Sequence, residues 1–510
     1  MTTTVPESPQ PPKPAPSPTP GPSKAPDTDN GPDNGPDVGP DNGSTARARR
    51  GRLLAVVLAA QFMAVLDVFI VNVAAPTVRT ELHASGAALQ LVVAGYTITY
   101  AVLLITGARL GDRHGHRRII LTGLAAFTAA SLACGLARTS GQLIAFRMTQ
   151  GAGAALMIPQ VLSLVQRHFS GEARTRALGA YAAVLAVGAA AGQVLGGLLV
   201  SADLFGTGWR SVFLVNVPVG LALLALGGRA LPRDPARTGR PARALDLPGL
   251  VLLGGAVSLL TVPLVLGQEQ DWPLWSWLCM AASVAVFVLL YVHESALARR
   301  GGDPIVAPRV LRLPGIGTAV LRILTVMAVN AGYLFVLTLH VQGGLGYSAL
   351  RAGLTFATTA VSFGAVGLTW RRWPARLQPA LIPAGFALTA AGTLGTGLAL
   401  RHGTDGGIGL YAAFVTTGAG LALGFGPTLT RALAGVRPQD AADASGLLTT
   451  VTQLGQLVGV AAFGTLFLGR TGSTGTPGPY SSADALLTCA CALAAAAVIG
   501  AVSGLVRLRR

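Results

Sequence analysis

LLAVVLAAQFMAVLDVFIVNVAAP, Leu53 to Pro76, is an apolar run long enough to cross a bilayer, and it carries one acid, Asp67. At 1.5 Å of rise per residue, Asp67 lies roughly 20 Å from the start of the run, well inside a hydrocarbon core about 30 Å thick. A carboxylate at that depth cannot reach water by stretching. It must face the protein interior, pair with a cation, or carry a proton for part of the time. Alternation between the last two states would be a mechanism. The competing reading is a permanently neutral or hydrogen-bonded Asp that only fixes helix packing.

The rest of the 510-residue chain is of the same kind, 51% hydrophobic and 12% charged, with a mean hydropathy of +0.56. Soluble domains carry about twice that share of charge. Apolar stretches of near-spanning length number fourteen: 53–76, 88–110, 118–137, 142–165, 177–200, 211–228, 248–266, 274–293, 316–340, 350–370, 379–400, 407–430, 445–468 and 484–506. An all-α membrane protein is predicted. A transmembrane barrel is excluded, because its strands are about ten residues long and alternate in polarity. Residues 1–45, with GPDNGPDVGPDNG at 31–43, are too polar and Pro-rich to bury a core. They are expected to form a disordered cytoplasmic tail, with a docking segment as the alternative, and they show no cleavable signal peptide.

The formal charge of +17 invites a nucleic-acid reading, so the placement of the arginines matters. With the N-terminus inside, 28 of the 36 fall in the tails and even-numbered connections, six in the odd-numbered ones, and only Arg147 and Arg322 inside spans. This positive-inside pattern puts both termini in the cytoplasm, at a cell membrane, and accounts for the charge without nucleic acid. All six tryptophans fall at or near span ends, as an interfacial belt requires. The four cysteines lie in apolar spans as packing residues, and His114 with His116 gives two metal ligands without a third, so no metal is expected. Lys13 and Lys24 are the only lysines, so no phosphate loop ending in Gly-Lys-Ser/Thr exists. The chain carries no nucleotide motor of its own, and no cofactor is expected.

Within the first span, LDVFIVNVAAP, Leu66 to Pro76, resembles the helix-1 motif of the fourteen-helix drug:proton antiporter branch of the major facilitator superfamily, with Phe69 and Ala75 departing from it. ARLGDRHGHRRIIL, Ala108 to Leu121, is similar to that superfamily's loop motif through Asp112, Arg113, Gly115, Arg117 and Arg118. Gly115 permits a tight turn, and Asp112 can accept charge-assisted hydrogen bonds, so the cluster would latch the two halves in one state. FRMTQGAGAALMIPQ, Phe146 to Gln160, resembles the helix-4 motif, which implies a part for Arg147 in proton transfer. Snorkelling of Arg147 to the inner surface is the alternative. GAAAGQVLGG resembles the antiporter motif of helix 5 through Gly188, Gly192, Gly196 and Gly197, with Gln193 where Pro is usual. GWRSVFLVNVPVG, Gly208 to Gly220, and DLPG, Asp246 to Gly249, resemble the same branch.

Internal repetition supports the reading. Gly151-Ala-Gly recurs as Gly418-Ala-Gly, Gly192-Gln recurs as Gly455-Gln, and a similar offset carries Asp67 onto Asn330. The major facilitator fold implied is two six-helix bundles plus two inserted helices. Its expected parts are a tail (1–45), a first bundle (46–228), a linker (229–245), the inserted pair (246–295), a second linker (296–315) and a second bundle (316–506). Polar groups available to a substrate between the halves are Gln61, Asn72, Gln150, Gln160, Gln193, Asn330, Tyr333, Gln453 and Gln456, each of which could instead be satisfied within its own bundle. Glu294 is expected in the interface at the end of its span. The resemblance implies proton-coupled export of amphipathic drugs or antibiotics by a monomer, with protons, substrate and lipid bilayer as partners. A proton-independent facilitator or importer of the same fold, and more remotely a membrane-embedded enzyme or receptor, are the alternatives.

Overall fold

The computed structural model describes residues 41–203, 206–233, 244–434, 436–437, 440–471 and 478–505. Most of the expected tail and the Pro- and Arg-rich centre of the 229–245 linker lie outside these residues. Residues 41–47 are helical, and the described residues from 48 onward form a compact unit.

Among the described residues, fourteen helices are long and apolar enough to cross a membrane: α1 (Ala48–Glu81), α2 (Gly86–His114), α3 (His116–Gly135), α4 (Ser140–His168), α5 (Gly171–Ala202), α6 (Gly208–Ala230), α7 (Leu247–Leu266), α8 (Leu274–Arg299), α9 (Ile316–Gly344), α10 (Ala349–Arg372), α11 (Ala375–Leu400), α12 (Gly407–Ala434), α13 (Asp443–Thr471) and α14 (Pro479–Val502). Each matches one apolar stretch of the sequence. Most run a few residues further, because polar ends can extend a helix into the headgroup region without reading as apolar. Local signals set several starts: Ser85, Thr139 and Ser348 cap α2, α4 and α10 by accepting from Ala88, Gln142 and Arg351 amides. Gly115, with φ at 97°, turns the chain between α2 and α3 in a conformation that L side chains rarely adopt.

The helices pack as two copies of one arrangement. In the first half α4 lies against α2 and α3, and α3 against α6; in the second, α12 lies against α10 and α11, and α11 against α14. Glycines carry the closest approaches. A Cβ on Gly151 would stand 2.2 Å from the Tyr96 carbonyl oxygen, and one on Gly418 would stand 2.3 Å from that of Thr359. Likewise Gly192 and Gly196 of α5 meet α1 at Phe69 and Ile70, while Gly455 and Gly459 of α13 meet α9 at Leu324 and Ala328. In lipid, where hydrophobic burial drives little helix association, such small-residue contacts let backbones approach closely. The two halves touch reciprocally, α5 against α10 and α13 against α2.

At the α5–α10 crossing a Cβ on Gly197 would stand 2.4 Å from the Ala349 carbonyl oxygen, and Ser201 Oγ accepts from the Leu350 amide at 3.1 Å. Gly197→Leu is therefore expected to wedge this crossing open. A disulfide between Ser201→Cys and Leu350→Cys should form readily in an otherwise native chain and fall to background when Gly197→Leu is added.

The inserted pair α7 and α8 packs as a hairpin, with α7 also against α2 and α13. The outward face of α8 is apolar, with Leu274, Leu278, Val284, Val288 and Val292 exposed, as a helix solvated by lipid requires. Glu294 departs from expectation: it is 1% exposed rather than interfacial, because the segment 303–308 folds over the end of α8.

Candidate functional site

Five helices of the first half converge on Asp67, which is fully buried on α1. Arg147 and Gln150, three residues apart on α4 and so on one face, both reach it. Arg147 Nη1 donates to Asp67 Oδ2 at 2.6 Å and to Gln150 Oε1 at 2.6 Å. Gln150 Nε2 donates to Asp67 Oδ1 at 2.8 Å and to Ser131 Oγ of α3 at 2.7 Å. Asn216 Nδ2 of α6 donates to Asp67 Oδ1 at 2.9 Å. Arg147 Nε donates to the Val92 carbonyl of α2 at 3.2 Å, and the guanidinium lies over the Tyr96 ring at 4.7 Å from its centroid. A buried ion pair offsets its desolvation only when the remaining donors and acceptors are also satisfied, and this arrangement does so for both carboxylate oxygens. Arg147 thus turns inward rather than snorkelling.

The offset that carries Gly151 onto Gly418 carries Arg147 onto Phe414, which packs edge-on to Tyr333. The second half has thereby replaced the acid with Asn330 and the base with an aromatic ring. At these two positions charge is present in only one of the two otherwise matching bundles.

Beside the pair a cavity of about 30 Å³ opens between the halves, lined by α1, α2 and α4 on one side and α9 and α13 on the other. Asn72, Arg147, Asn330 and Gln456 face it, as the sequence implied for the amides, together with Tyr96 and Thr97. Asp67 does not line it. Other predicted cavity groups are committed elsewhere. Gln150 belongs to the Asp67 cage. Gln160 bonds the His116 ring at 2.6 Å and the Gly107 carbonyl at 2.8 Å, and Tyr333 bonds Thr396 at 2.9 Å. Each is satisfied inside its own bundle because a partner on a neighbouring helix lies closer than the cavity. Gln61 and Gln193 are buried, each with its Oε1 unpartnered, and neither lines the cavity; Gln453 is 3.5 Å from Gln456 Nε2.

In the loop motif Asp112 meets Arg167 of α4 at 3.3 Å and the buried His116 at 3.6 Å, while Arg117 donates to the Gly228 carbonyl. These partners all belong to the first half, so a latch onto the second half is not formed through them; the halves meet tightly at the opposite end, through α5 and α10. Arg113 has further interactions and Arg118 is exposed. The glycines of α5 divide by face: Gly188, Gly192 and Gly196 lie on α1, and Gly197 on α10. Sequence reasoning missed Asn216 as an Asp67 donor, although an amide inside an apolar span was the signal that could have found it. It also missed Ser131, for which an ordinary helical Ser gives no signal.

Comparison with known proteins follows the same line. The Major Facilitator Superfamily profile matches residues 57–460. A "Probable actinorhodin transporter" of Streptomyces coelicolor is 39% identical over 438 residues, covering 85% of this chain and 75% of its own. A cephamycin export protein of Amycolatopsis lactamdurans is 39% identical over 459 residues, covering 87% and 91%. Among solved structures, a bacterial homologue of the human lysosomal transporter Spinster, inward-facing and occupied, superposes with a TM-score of 0.66 at 19% identity over 90% of this chain and 97% of that one. With the fourteen helices, the duplicated bundles and these matches taken together, the chain belongs to the major facilitator superfamily.

Proposed function

We propose that this protein exports amphipathic small molecules, such as antibiotics, from the cytoplasm in exchange for protons, by alternating access between its two bundles. The observation that carries the reading is the buried Asp67–Arg147 pair, set beside a cavity between the halves. The relatives at 39% identity are described as carriers or exporters of antibiotics, which favours a substrate of that class. The arginine distribution orients both termini to the cytoplasm, and the α5–α10 crossing then lies on the outer side. The halves are closed there, with Gln342 Nε2 of α9 donating to the Val73 carbonyl of α1 at 3.0 Å.

The proton step follows from the geometry. Ionised Asp67 holds Arg147; a proton delivered from outside removes the anion and leaves the guanidinium without its counter-charge, so that arrangement loses its main electrostatic support. Asp67 lies on the α1 stretch, Leu66 to Ile70, against which Gly192 and Gly196 of α5 pack. A shift of α1 therefore moves α5, and with it the α5–α10 closure. Release of the proton inward restores the pair and the closed outer side.

Expression in a host lacking its own efflux pumps tests the proposal. Accumulation of at least some amphipathic antibiotics should fall severalfold and resistance should rise. Unchanged accumulation across a broad panel, or uptake in place of export, would favour the facilitator or importer.

A further inference from the structure

The inserted hairpin carries a second set of buried acids. Glu294, near the end of α8, is 1% exposed and Asp246, which caps α7, is 8% exposed. Glu294 faces the Ile305 and Val306 backbone amides without a well-formed hydrogen bond, and Asp246 Oδ2 has no partner. A Cβ on Gly249 would stand 2.3 Å from Asp246 Oδ2 and 2.8 Å from Glu294 Oε1. The two oxygens therefore flank one point and lie no farther apart than the sum of those distances. Asp246 Oδ1 is already engaged, accepting from the Gly249 amide at 2.9 Å and lying 3.0 Å from His293 Nε2.

The other charged groups nearby make contacts of their own. Asp303, in the segment after α8, accepts from the Ala244 amide through Oδ2 at 2.9 Å. Arg109 of α2 donates to the backbone carbonyls of Ala244, Asp303 and Pro304. The ion pair of Asp246 is with the His293 ring. His293 contacts Asp246, lies close enough for its charge to act on Glu294 as well, and is partly exposed. Two ionised carboxylates at this separation, withdrawn from water, repel strongly. A single proton held between them removes one charge and gives the orphaned oxygens a donor and an acceptor.

We propose that Asp246 and Glu294 form a proton-binding site, separate from Asp67, whose occupancy sets how tightly the α7–α8 hairpin clasps α2. With the proton bound, a carboxyl O–H donates to the facing carboxylate and ties the start of α7 to the end of α8. That juxtaposition holds Ala244 beside Asp303 and Pro304, so the Arg109 guanidinium grips both ends of the hairpin at once. When the proton leaves to solvent, two like charges face each other and the grip loosens. This site does not depend on export or on the chemistry of Asp67.

Infrared spectroscopy of the purified full-length protein in lipid tests the proposal. At neutral pH, exposed Asp and Glu are ionised, so a protonated-carboxyl stretching band sensitive to D₂O reports a buried acid. The band should be present in the native protein, persist in Asp67→Asn and disappear in Glu294→Gln. In Asp246→Asn it should vanish at a lower pH than in the native protein, because the repelling charge is gone. Hydrogen exchange of the Asp303, Ile305 and Val306 amides, corrected for intrinsic rates, should rise severalfold as the native band titrates away and stay flat in Glu294→Gln. A native protein without the band, an undiminished band in Glu294→Gln, an unmoved midpoint in Asp246→Asn, or exchange indifferent to the titration would overturn it.

Discussion

Asp67→Asn is expected to abolish uphill export while leaving downhill substrate exchange in place. Asn is nearly isosteric, but it cannot gain or lose a proton, and its amide must present N–H₂ where one carboxylate oxygen now accepts. Asp67 Oδ1 takes hydrogen bonds from both Gln150 Nε2 and Asn216 Nδ2, so an amide nitrogen there would oppose two donors. The other orientation turns the same nitrogen toward Arg147 Nη1. Either way at least one buried contact between donors results, and the guanidinium loses its counter-charge. Breaking a buried ion pair by removing one partner costs about 3–5 kcal/mol, so thermal stability in detergent should fall along with transport. Counterflow of labelled substrate at equal concentrations separates the two effects: exchange should continue in Asp67→Asn liposomes, and accumulation against a gradient should be lost.

Arg147→Met is expected to be at least as damaging. It removes the cation paired with the fully buried Asp67, together with the donors to Gln150 Oε1 and the Val92 carbonyl. The Met stem fills much of the same volume against Tyr96, which keeps cavity effects small. The loss is again on the order of 3–5 kcal/mol when one charge is left unpaired. Because the two residues form one unit, Asp67→Asn combined with Arg147→Met should be distinctly more stable than the sum of the single losses implies. Tm in detergent for the four proteins gives this cycle directly. Additive losses would mean that the pair is not energetically coupled and that Asp67 acts alone.

The sequence disclosed the scaffold more fully than the cage around its acid. Fourteen spans follow from hydrocarbon thickness, and the glycine repeat at one offset anticipated the matching contacts of Gly151 on Tyr96 and Gly418 on Thr359. Asp67 itself was conspicuous, since an acid in oil is expensive wherever it lies. The cage was less so, because Asn216, which donates to Asp67, and Ser131, which accepts from Gln150, come from helices that are neighbours only in space. Glu294 was misplaced for the same reason. Its burial depends on residues 303–308 returning over α8, which no periodicity within α8 records. Gln160 and Tyr333 looked available to a substrate until their partners, His116 and Thr396, were placed on adjacent helices.

The most direct measurement is internal pH in liposomes that hold the purified protein, recorded with a trapped dye as substrate is driven across without any imposed proton gradient. Proton movement opposite to substrate, present in the native protein and absent in Asp67→Asn, is the predicted result. Substrate transport with no proton movement, or proton movement that survives Asp67→Asn, would contradict it.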